Sequence, residues 1–227
     1  MSAVASHAPS HDAPPRGLQH HFRDLDQQQS AATLGMWLFI AQEVMFFGGL
    51  FLAYTIYRSQ YNDVFTIASH HLNVQMGAIN TAVLICSSLT MAIAVHAAAL
   101  GHRQQIVLFL ILTILLGGVF LGVKVYEYKD KFEHHLVPGP HFSGHELKLE
   151  GDRERHAQIY YSLYFAMTGL HALHMIIGVP IILWIAWRAW RGEFSAAYNA
   201  PVELVGLYWH FVDIIWIFLF PLLYLIS

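Results

Sequence analysis

Residues 204–226 read LVGLYWHFVDIIWIFLFPLLYLI, an apolar run that carries His210 and Asp213 near its centre. A helix needs about 20 residues to cross the hydrocarbon core of a bilayer, and this run is long enough. An ionisable side chain inside hydrocarbon is costly, so it usually faces the interior of a helix bundle or a partner. The run therefore predicts a transmembrane helix with a buried polar contact.

The rest of the chain repeats this apolar pattern. Residues 64–102, 104–123 and 156–187 contain no Asp, Glu, Lys or Arg, and another apolar stretch surrounds Glu43. Because backbone polar groups must be satisfied inside a membrane, apolar runs this long are helices. The sequence predicts an all-α integral membrane protein, a bundle of five transmembrane helices. The predicted spans are about residues 32–57, 71–100, 104–128, 157–188 and 201–226.

Composition agrees with this fold class and excludes several functions. The chain has 227 residues, of which 56% are hydrophobic and 12% charged, against about 25% charged in an average soluble domain. The formal net charge of −3 gives no reason to expect nucleic acid as a partner. Cys86 is the single cysteine, so neither a disulfide framework nor a cysteine metal site is expected.

The predicted domain organisation is a polar, histidine-rich N-terminal tail at residues 1–31 and a five-helix membrane domain at residues 32–227. The tail lacks the apolar core of a cleavable signal peptide. Its histidines, and those of the loop between the third and fourth spans, have no regular ligand spacing. We expect them to be solvent-exposed side chains, and we expect no metal site on this chain.

Ionisable residues inside the spans are candidate lipid-binding or interhelical polar groups, and no catalytic residue is expected. The candidates are Glu43, His171, His174, Glu203, His210 and Asp213. For Glu43, a structural hydrogen bond to a neighbouring helix and direct proton transfer are both open. A buried carboxylate is disfavoured by desolvation, which predicts a protonated or hydrogen-bonded group.

The candidate histidines and acids fall on helix faces. His171 and His174 are spaced i, i+3 and share one face, but a haem or a redox metal needs further ligands that the spacing does not supply. Glu203, His210 and Asp213 are spaced close to a single stripe on a helix of 3.6 residues per turn. The stripe predicts either a polar contact that fixes the helix against a partner, or a proton relay or lipid-headgroup site.

Aromatic and basic residues mark the predicted membrane boundaries. Lys124, with Tyr126, Glu127 and Tyr128, is predicted to lie at the interface, where aromatic rings and long lysine side chains settle. The matching belt at the end of the fourth span consists of Trp184, Trp187 and Trp190 with Arg188 and Arg191.

Four segments in order resemble subunit III of cytochrome c oxidase and its quinol-oxidising relatives. They are residues 37–47 (WLFIAQEVMFF), the pair Glu127 and Tyr128, residues 168–178 (TGLHALHMIIG) and residues 208–213 (YWHFVD). The resemblance covers the chain from about residue 32 onward. The usual mitochondrial form of this family has seven helices, whereas this chain has room for five and is similar to many bacterial members.

The resemblance implies a non-catalytic core subunit that binds no haem or copper itself. It implies oxidase subunits I and II as partners, with haem and copper on those chains. It also implies that this chain binds phospholipid and supports proton uptake. Membership of a larger respiratory supercomplex is a further option. Glu43 matches the family's membrane-buried carboxylate at the subunit I contact. His171, His174, Glu203, His210 and Asp213 match positions that shape the bundle and its lipid contacts.

The location that the resemblance implies is a bacterial plasma (inner) membrane, with the N-terminus cytoplasmic and the C-terminus on the outer side. Basic residues near the span ends are divided between both sides, so the positive-inside rule does not set the orientation.

Other functions stay open at this point. Close variants are the equivalent subunit of a quinol oxidase or of a nitric oxide reductase complex. A different class is a self-contained proton channel or transporter that uses Glu43, His96 and Asp213, which would show activity in the isolated chain. A third is a b-type cytochrome with His171 or His174 as ligand, which a visible spectrum would detect.

Overall fold

The computed structural model describes residues 18–140, 142–143, 147, 149–196 and 198–226. These residues form six α-helices and no strand. The helices are α1 (Leu25–Gln60), α2 (Asn62–His70), α3 (Val74–Ala99), α4 (Arg103–Glu133), α5 (Asp152–Trp190) and α6 (Ala200–Tyr224). All except α2 are long and apolar enough to cross a membrane. The predicted all-α fold with five spans is confirmed.

Helix α1 begins earlier than the predicted span. Asp24 is its N-cap, and the carboxylate accepts a hydrogen bond of 2.7 Å from the backbone N–H of Gln27. This bond to an otherwise unsatisfied helix donor holds the pKa of Asp24 below its usual range. Residues 25–31, predicted as the end of the polar tail, form the first turns of α1, and residues 1–17 lie outside the described residues.

The short helix α2 divides the long charge-free stretch at residues 64–102. Val64, Phe65 and Ala68 are buried and turn toward the bundle, where α2 packs against α1, α5 and α6. Asn73 then caps α3 by accepting a 3.0 Å hydrogen bond from the Met76 N–H. The predicted second span therefore begins at Val74, after this cap.

Helices α3, α4, α5 and α6 form a closed ring in which each contacts the next, and α6 contacts α3. Gly101, at φ +72°, makes the tight turn that sets α3 and α4 antiparallel. Helix α1 packs outside this ring, on α5 and α6. Among the described residues it has no contact with α3 or α4. A strip of α6 is thus left uncovered between α1 and α3.

Trp209 of α6 fills the centre of the ring and is fully buried. A Cβ placed on Gly117 of α4 or on Gly178 of α5 would lie 3.0 Å from the indole ring, so both glycines admit the ring by lacking a side chain. The indole N–H donates a hydrogen bond of 3.0 Å to the hydroxyl of Ser87 on α3. One side chain thereby joins all four helices of the ring.

Tyrosine side chains close the C-terminal end of α6. The last carbonyl groups of a helix have no partner within the helix. Here the hydroxyl of Tyr54 on α1 donates to the Leu222 carbonyl at 2.7 Å, and that of Tyr160 on α5 donates to the Leu223 carbonyl at 2.9 Å. These bonds fix the end of α6 to both neighbouring helices.

Candidate functional site

Glu43 and His174 form a polar contact between α1 and α5. The carboxyl Oε2 lies 3.3 Å from the imidazole Nε2, and the two side chains are 12% and 15% exposed. Phe47 packs near the imidazole, with ring centroids 5.5 Å apart, and the hydroxyl of Tyr208 donates to the His174 carbonyl at 2.8 Å. The contact is therefore enclosed by side chains from α1, α5 and α6.

The hydrogen bonding of His174 restricts how this pair can hold its protons. The Nδ1 atom lies 2.8 Å from the carbonyl oxygen of Leu170, which can only accept, so Nδ1 carries a proton. In a neutral imidazole Nε2 is then the acceptor, and Glu43 donates to it as a carboxylic acid. The alternative is a carboxylate paired with an imidazolium.

His171 faces the interior of the ring and does not join His174 in one site. It is 1% exposed, and the rings of Phe120 and Trp216 lie 5.3 Å and 5.2 Å from it, centroid to centroid. Neither ring nitrogen has a hydrogen-bond partner among the described residues. Two aromatic rings thus fill the space beside this imidazole, where a planar cofactor would have to lie.

Of the three residues in the predicted stripe on α6, the structure brings only His210 and Asp213 together in one site. His210 and Asp213 line a common pocket with Ser88 of α3, and the Ser88 hydroxyl lies 2.7 Å from Nδ1 of His210. Asp213 is 2% exposed. Glu203 lies in the first turn of α6, is half-buried, and does not line this pocket.

Lys124 and Glu127, which the sequence predicts at the membrane interface, form a buried ion pair. Lys124 and Glu127, one turn apart on α4, have side chains only 3% and 5% exposed, with Nζ 2.9 Å from Oε2. The prediction of an interfacial, solvent-reaching Lys124 is wrong. The side chain points into the ring, where its ammonium group lies 4.9 Å from the centroid of the Trp216 ring.

Two tyrosines complete this buried cluster. Lys124 donates to the hydroxyl oxygens of Tyr164 on α5 and Tyr224 on α6, at 3.3 Å and 3.0 Å. Both hydroxyls in turn donate to Oε1 of Glu127, from Tyr164 at 2.8 Å and from Tyr224 at a shorter distance. The three N–H groups of the ammonium and both oxygens of the carboxylate are therefore satisfied, as buried charges require. We call Lys124, Glu127, Tyr164 and Tyr224 the Lys124 cluster.

The tryptophan belt at the end of α5 agrees with a membrane boundary. Trp184, Trp187 and Trp190 are 53%, 48% and 63% exposed. The guanidinium of Arg188 lies 4.8 Å from the Trp184 ring centroid, and that of Arg191 lies 4.7 Å from the centroid of Trp187. Both are cation–π distances.

The described residues contain no group of three or more His, Cys, Asp or Glu side chains that could hold a metal ion. Several polar groups inside the membrane are instead paired between helices, whereas His171 and Asp213 have no hydrogen-bond partner among the described residues. Glu43 contacts His174, His210 contacts Ser88, and the Lys124 cluster joins α4, α5 and α6.

Comparison with known proteins places this arrangement in one family. The family model described as Cytochrome c oxidase subunit III matches residues 20–133 and 155–227. The chain is 35% identical over 197 residues to cytochrome c oxidase subunit 3 of Corynebacterium diphtheriae, covering 86% of this chain and 88% of that protein. It is 32% identical to the protein of the same name from Thermostichus vulcanus, covering 86% and 87%. It is 34% identical to that of Papio hamadryas, covering 86% and 70%.

Proposed function

The chain belongs to the cytochrome c oxidase subunit III family, and on that premise we propose that it is a non-catalytic core subunit of a haem–copper terminal oxidase in aerobic respiration. In this role it stabilises the catalytic subunit, binds phospholipid and supports proton uptake. The observation that carries the proposal is the pairing of Glu43 and Lys124, two ionisable side chains inside the membrane, with groups on other helices. Glu43 is engaged by His174, and Lys124 by Glu127 and two tyrosines, so these groups join helices together.

The surface of α1 supports a membrane subunit with partners. Of its most apolar stretch, only 11% of the residues are buried within the chain. Gly48 and Gly49 have nothing within 4 Å of an added Cβ, so an acyl chain or another helix can approach the backbone closely. The proposed partners are phospholipids and oxidase subunits I and II, with assembly into a larger respiratory supercomplex as an extension.

The proposed location is a bacterial plasma (inner) membrane, with the N-terminus in the cytoplasm and the C-terminus on the outer side. The five apolar helices and the membrane-bound family establish a multi-pass membrane protein. An odd number of spans puts the two ends of the helical domain on opposite sides.

The structure favours this role over a self-contained proton channel. Glu43 contacts α5, whereas Asp213 lines a pocket between α6 and α3. His96 is exposed near the end of α3. No hydrogen-bond chain within the described residues joins these three groups. An isolated chain that conducts protons in vesicles would nevertheless overturn the preference.

The equivalent subunit of a quinol oxidase or nitric oxide reductase complex would use the same fold. The electron donor binds other subunits in each case, so purification of an epitope-tagged chain distinguishes these complexes. We expect the co-purified subunits to oxidise cytochrome c and reduce oxygen. Oxidation of quinol only, or reduction of nitric oxide, would identify the variant.

Purified away from its partners, the chain is expected to show no haem absorbance and no stoichiometric copper. The reason is that His171 is packed against Phe120 and Trp216, and His174 is engaged on both ring nitrogens. A visible spectrum and metal analysis of the separated subunit test this. A Soret band that stays with the separated chain would favour a b-type cytochrome.

Glu43→Ala is expected to lower subunit retention and the number of turnovers before inactivation more than the initial rate of oxygen reduction. Removing the carboxyl leaves the Nε2 atom of His174 without its partner, at a cost of about 1–3 kcal/mol. Glu43→Gln is the matched control, since its amide can still donate to Nε2. The measurements are subunit content and oxygen consumption of the purified complex. An initial rate at background in a fully assembled Glu43→Ala complex would place Glu43 on a proton route.

A further inference from the structure

A pocket of about 250 Å³ opens on the outside of the bundle between α3 and α6. Its polar lining is Ser88, His210 and Asp213, and exposed apolar side chains surround these. The exposed fractions are 61% for Leu89, 53% for Ile85, 49% for Ile214 and 45% for Ile217. The pocket thus places three polar side chains within an apolar surface. It lies on the strip of α6 that α1 and α3 leave uncovered.

The depth of the pocket limits what can occupy it. Ser88 lies near the middle of α3 (Val74–Ala99), and Asp213 near the middle of α6 (Ala200–Tyr224). The hydrocarbon core is about 30 Å thick, so the centre is roughly 15 Å from either headgroup region. A phospholipid places only its acyl chains at this depth, and acyl chains do not form hydrogen bonds.

The polar lining lacks a hydrogen-bond partner that it needs. Neither carboxyl oxygen of Asp213 has a partner among the described residues, although the side chain is almost fully buried. The Ser88 hydroxyl is engaged with Nδ1 of His210, which leaves Nε2 of that ring for another group. A buried carboxyl without a hydrogen bond is costly, and such groups are normally satisfied in native assemblies.

We propose that this groove seats a transmembrane helix of a partner oxidase subunit, which presents a hydrogen-bonding side chain to the polar lining of the pocket. The inference rests on the proposed function, because it requires the chain to be part of an oxidase complex. A transmembrane helix brings a polar side chain to the bilayer centre on an apolar surface, which the acyl chains of a phospholipid cannot do. The small Ala92, exposed beside the pocket, lets such a helix approach closely. We call this surface the α3–α6 groove.

A photo-crosslinking amino acid at Leu89, in the complete oxidase complex in its native membrane, tests the occupant. The matched control is Leu115, a leucine of α4 with a similar exposed fraction of 59% that does not line this pocket. We expect the Leu89 adduct to be a transmembrane peptide of a co-purifying oxidase subunit, within about one turn of a side chain that can hydrogen-bond. Its yield should fall about five-fold in an Asp213→Leu background, whereas the Leu115 adducts should not change.

Only lipid or isoprenoid adducts at Leu89, in a complex that contains the chain at full occupancy, would overturn the groove inference and leave the proposed function standing. A chain that co-purifies with no oxidase subunit would overturn the proposed function itself. These two failures are therefore distinguishable from one preparation.

Retention of the chain during detergent extraction gives a second readout. Asp213→Leu and Leu89→Trp should each weaken retention about five-fold, which corresponds to about 1 kcal/mol, and leave the spectra of the metal centres unchanged. Leu89→Trp changes an exposed side chain only, so it also tests the groove if Asp213→Leu fails to fold. Leu115→Trp is its control, and this variant should be retained as well as the unaltered chain is. Equal retention of the Leu89→Trp and Leu115→Trp chains would contradict a helix in the groove.

Discussion

Glu127→Leu is expected to remove nearly all folded chain from the membrane, whereas Lys124→Met combined with Glu127→Leu should restore most of it. The single change leaves the Lys124 ammonium buried with two tyrosine hydroxyls and no counter-charge. Breaking a buried ion pair by removing one partner costs about 3–5 kcal/mol, while replacing the whole pair with apolar residues is often neutral. Domains are stable by only about 5–15 kcal/mol, so the single change can remove most of the stability of a chain at the lower end of that range.

The chain contains its own control for this experiment. Lys129 and Glu133 form an ion pair on the same helix, but at 3.7 Å and with side chains 72% and 60% exposed. Exposed pairs contribute about 0–1 kcal/mol, so Glu133→Leu should accumulate as the unaltered chain does. Membrane accumulation and retention in the oxidase complex are the measurements. A double variant as depleted as Glu127→Leu alone would show that the two charges, or their hydrogen bonds with the tyrosines, have a role that packing cannot replace.

Gly117→Leu is expected to reduce accumulation of the folded chain by at least ten-fold, whereas Gly118→Leu should have little effect. The two glycines are adjacent on α4 but face opposite environments. A Cβ on Gly117 would already meet the Trp209 ring at 3.0 Å, while a Cβ on Gly118 has nothing within 4 Å. The leucine side chain at residue 117 must displace a fully buried indole that also contacts Gly178 and Ser87. Overpacking of a tight core costs about 1–3 kcal/mol, and more when the ring cannot move.

The paired variants share helix propensity and the number of added atoms, so the difference between them isolates the packing of Trp209. Resistance of the purified subunit to unfolding in dodecyl sulfate measures it. Equal resistance of the Gly117→Leu and Gly118→Leu chains would show that the indole can relocate.

The helices that cross the membrane could be predicted because hydrocarbon imposes the same demand at every residue of a span. A run without charged residues, such as residues 104–123, can be assigned as a span without knowing which helices pack against it. Helix α2 was missed because its residues continue the charge-free stretch, and its separation from α3 depends on a single cap at Asn73. Local pattern alone does not distinguish a short helix folded against the bundle from the start of a span.

The polar contacts were harder to predict than the helices. Lys124 near a span end is typical of an interfacial lysine, and the same pattern also fits a buried one. The deciding partners, Tyr164 and Tyr224, lie 40 and 100 residues further along the chain. The sequence did contain a signal for this cluster: a lysine and a glutamate spaced i, i+3 on one span, with tyrosines in two later spans. Likewise Glu43 was recognised as an interhelical candidate, but its pairing with His174 depends on the placement of α1 against α5.

Helix α1 precedes the other described helices along the chain and contacts only α2, α5 and α6 within the described residues. Its last bond to the bundle, from Tyr54 to Leu222, spans 168 residues. At about 5–20 residues synthesised per second, the ribosome needs on the order of 10 to 30 s to add that length. For the first part of this interval Glu43 has no partner on α5, because His174 has not yet been translated. The contacts of α1 with α5 and α6 can therefore form only after those helices are made, and until then α1 depends on lipid, or on the machinery that inserts it.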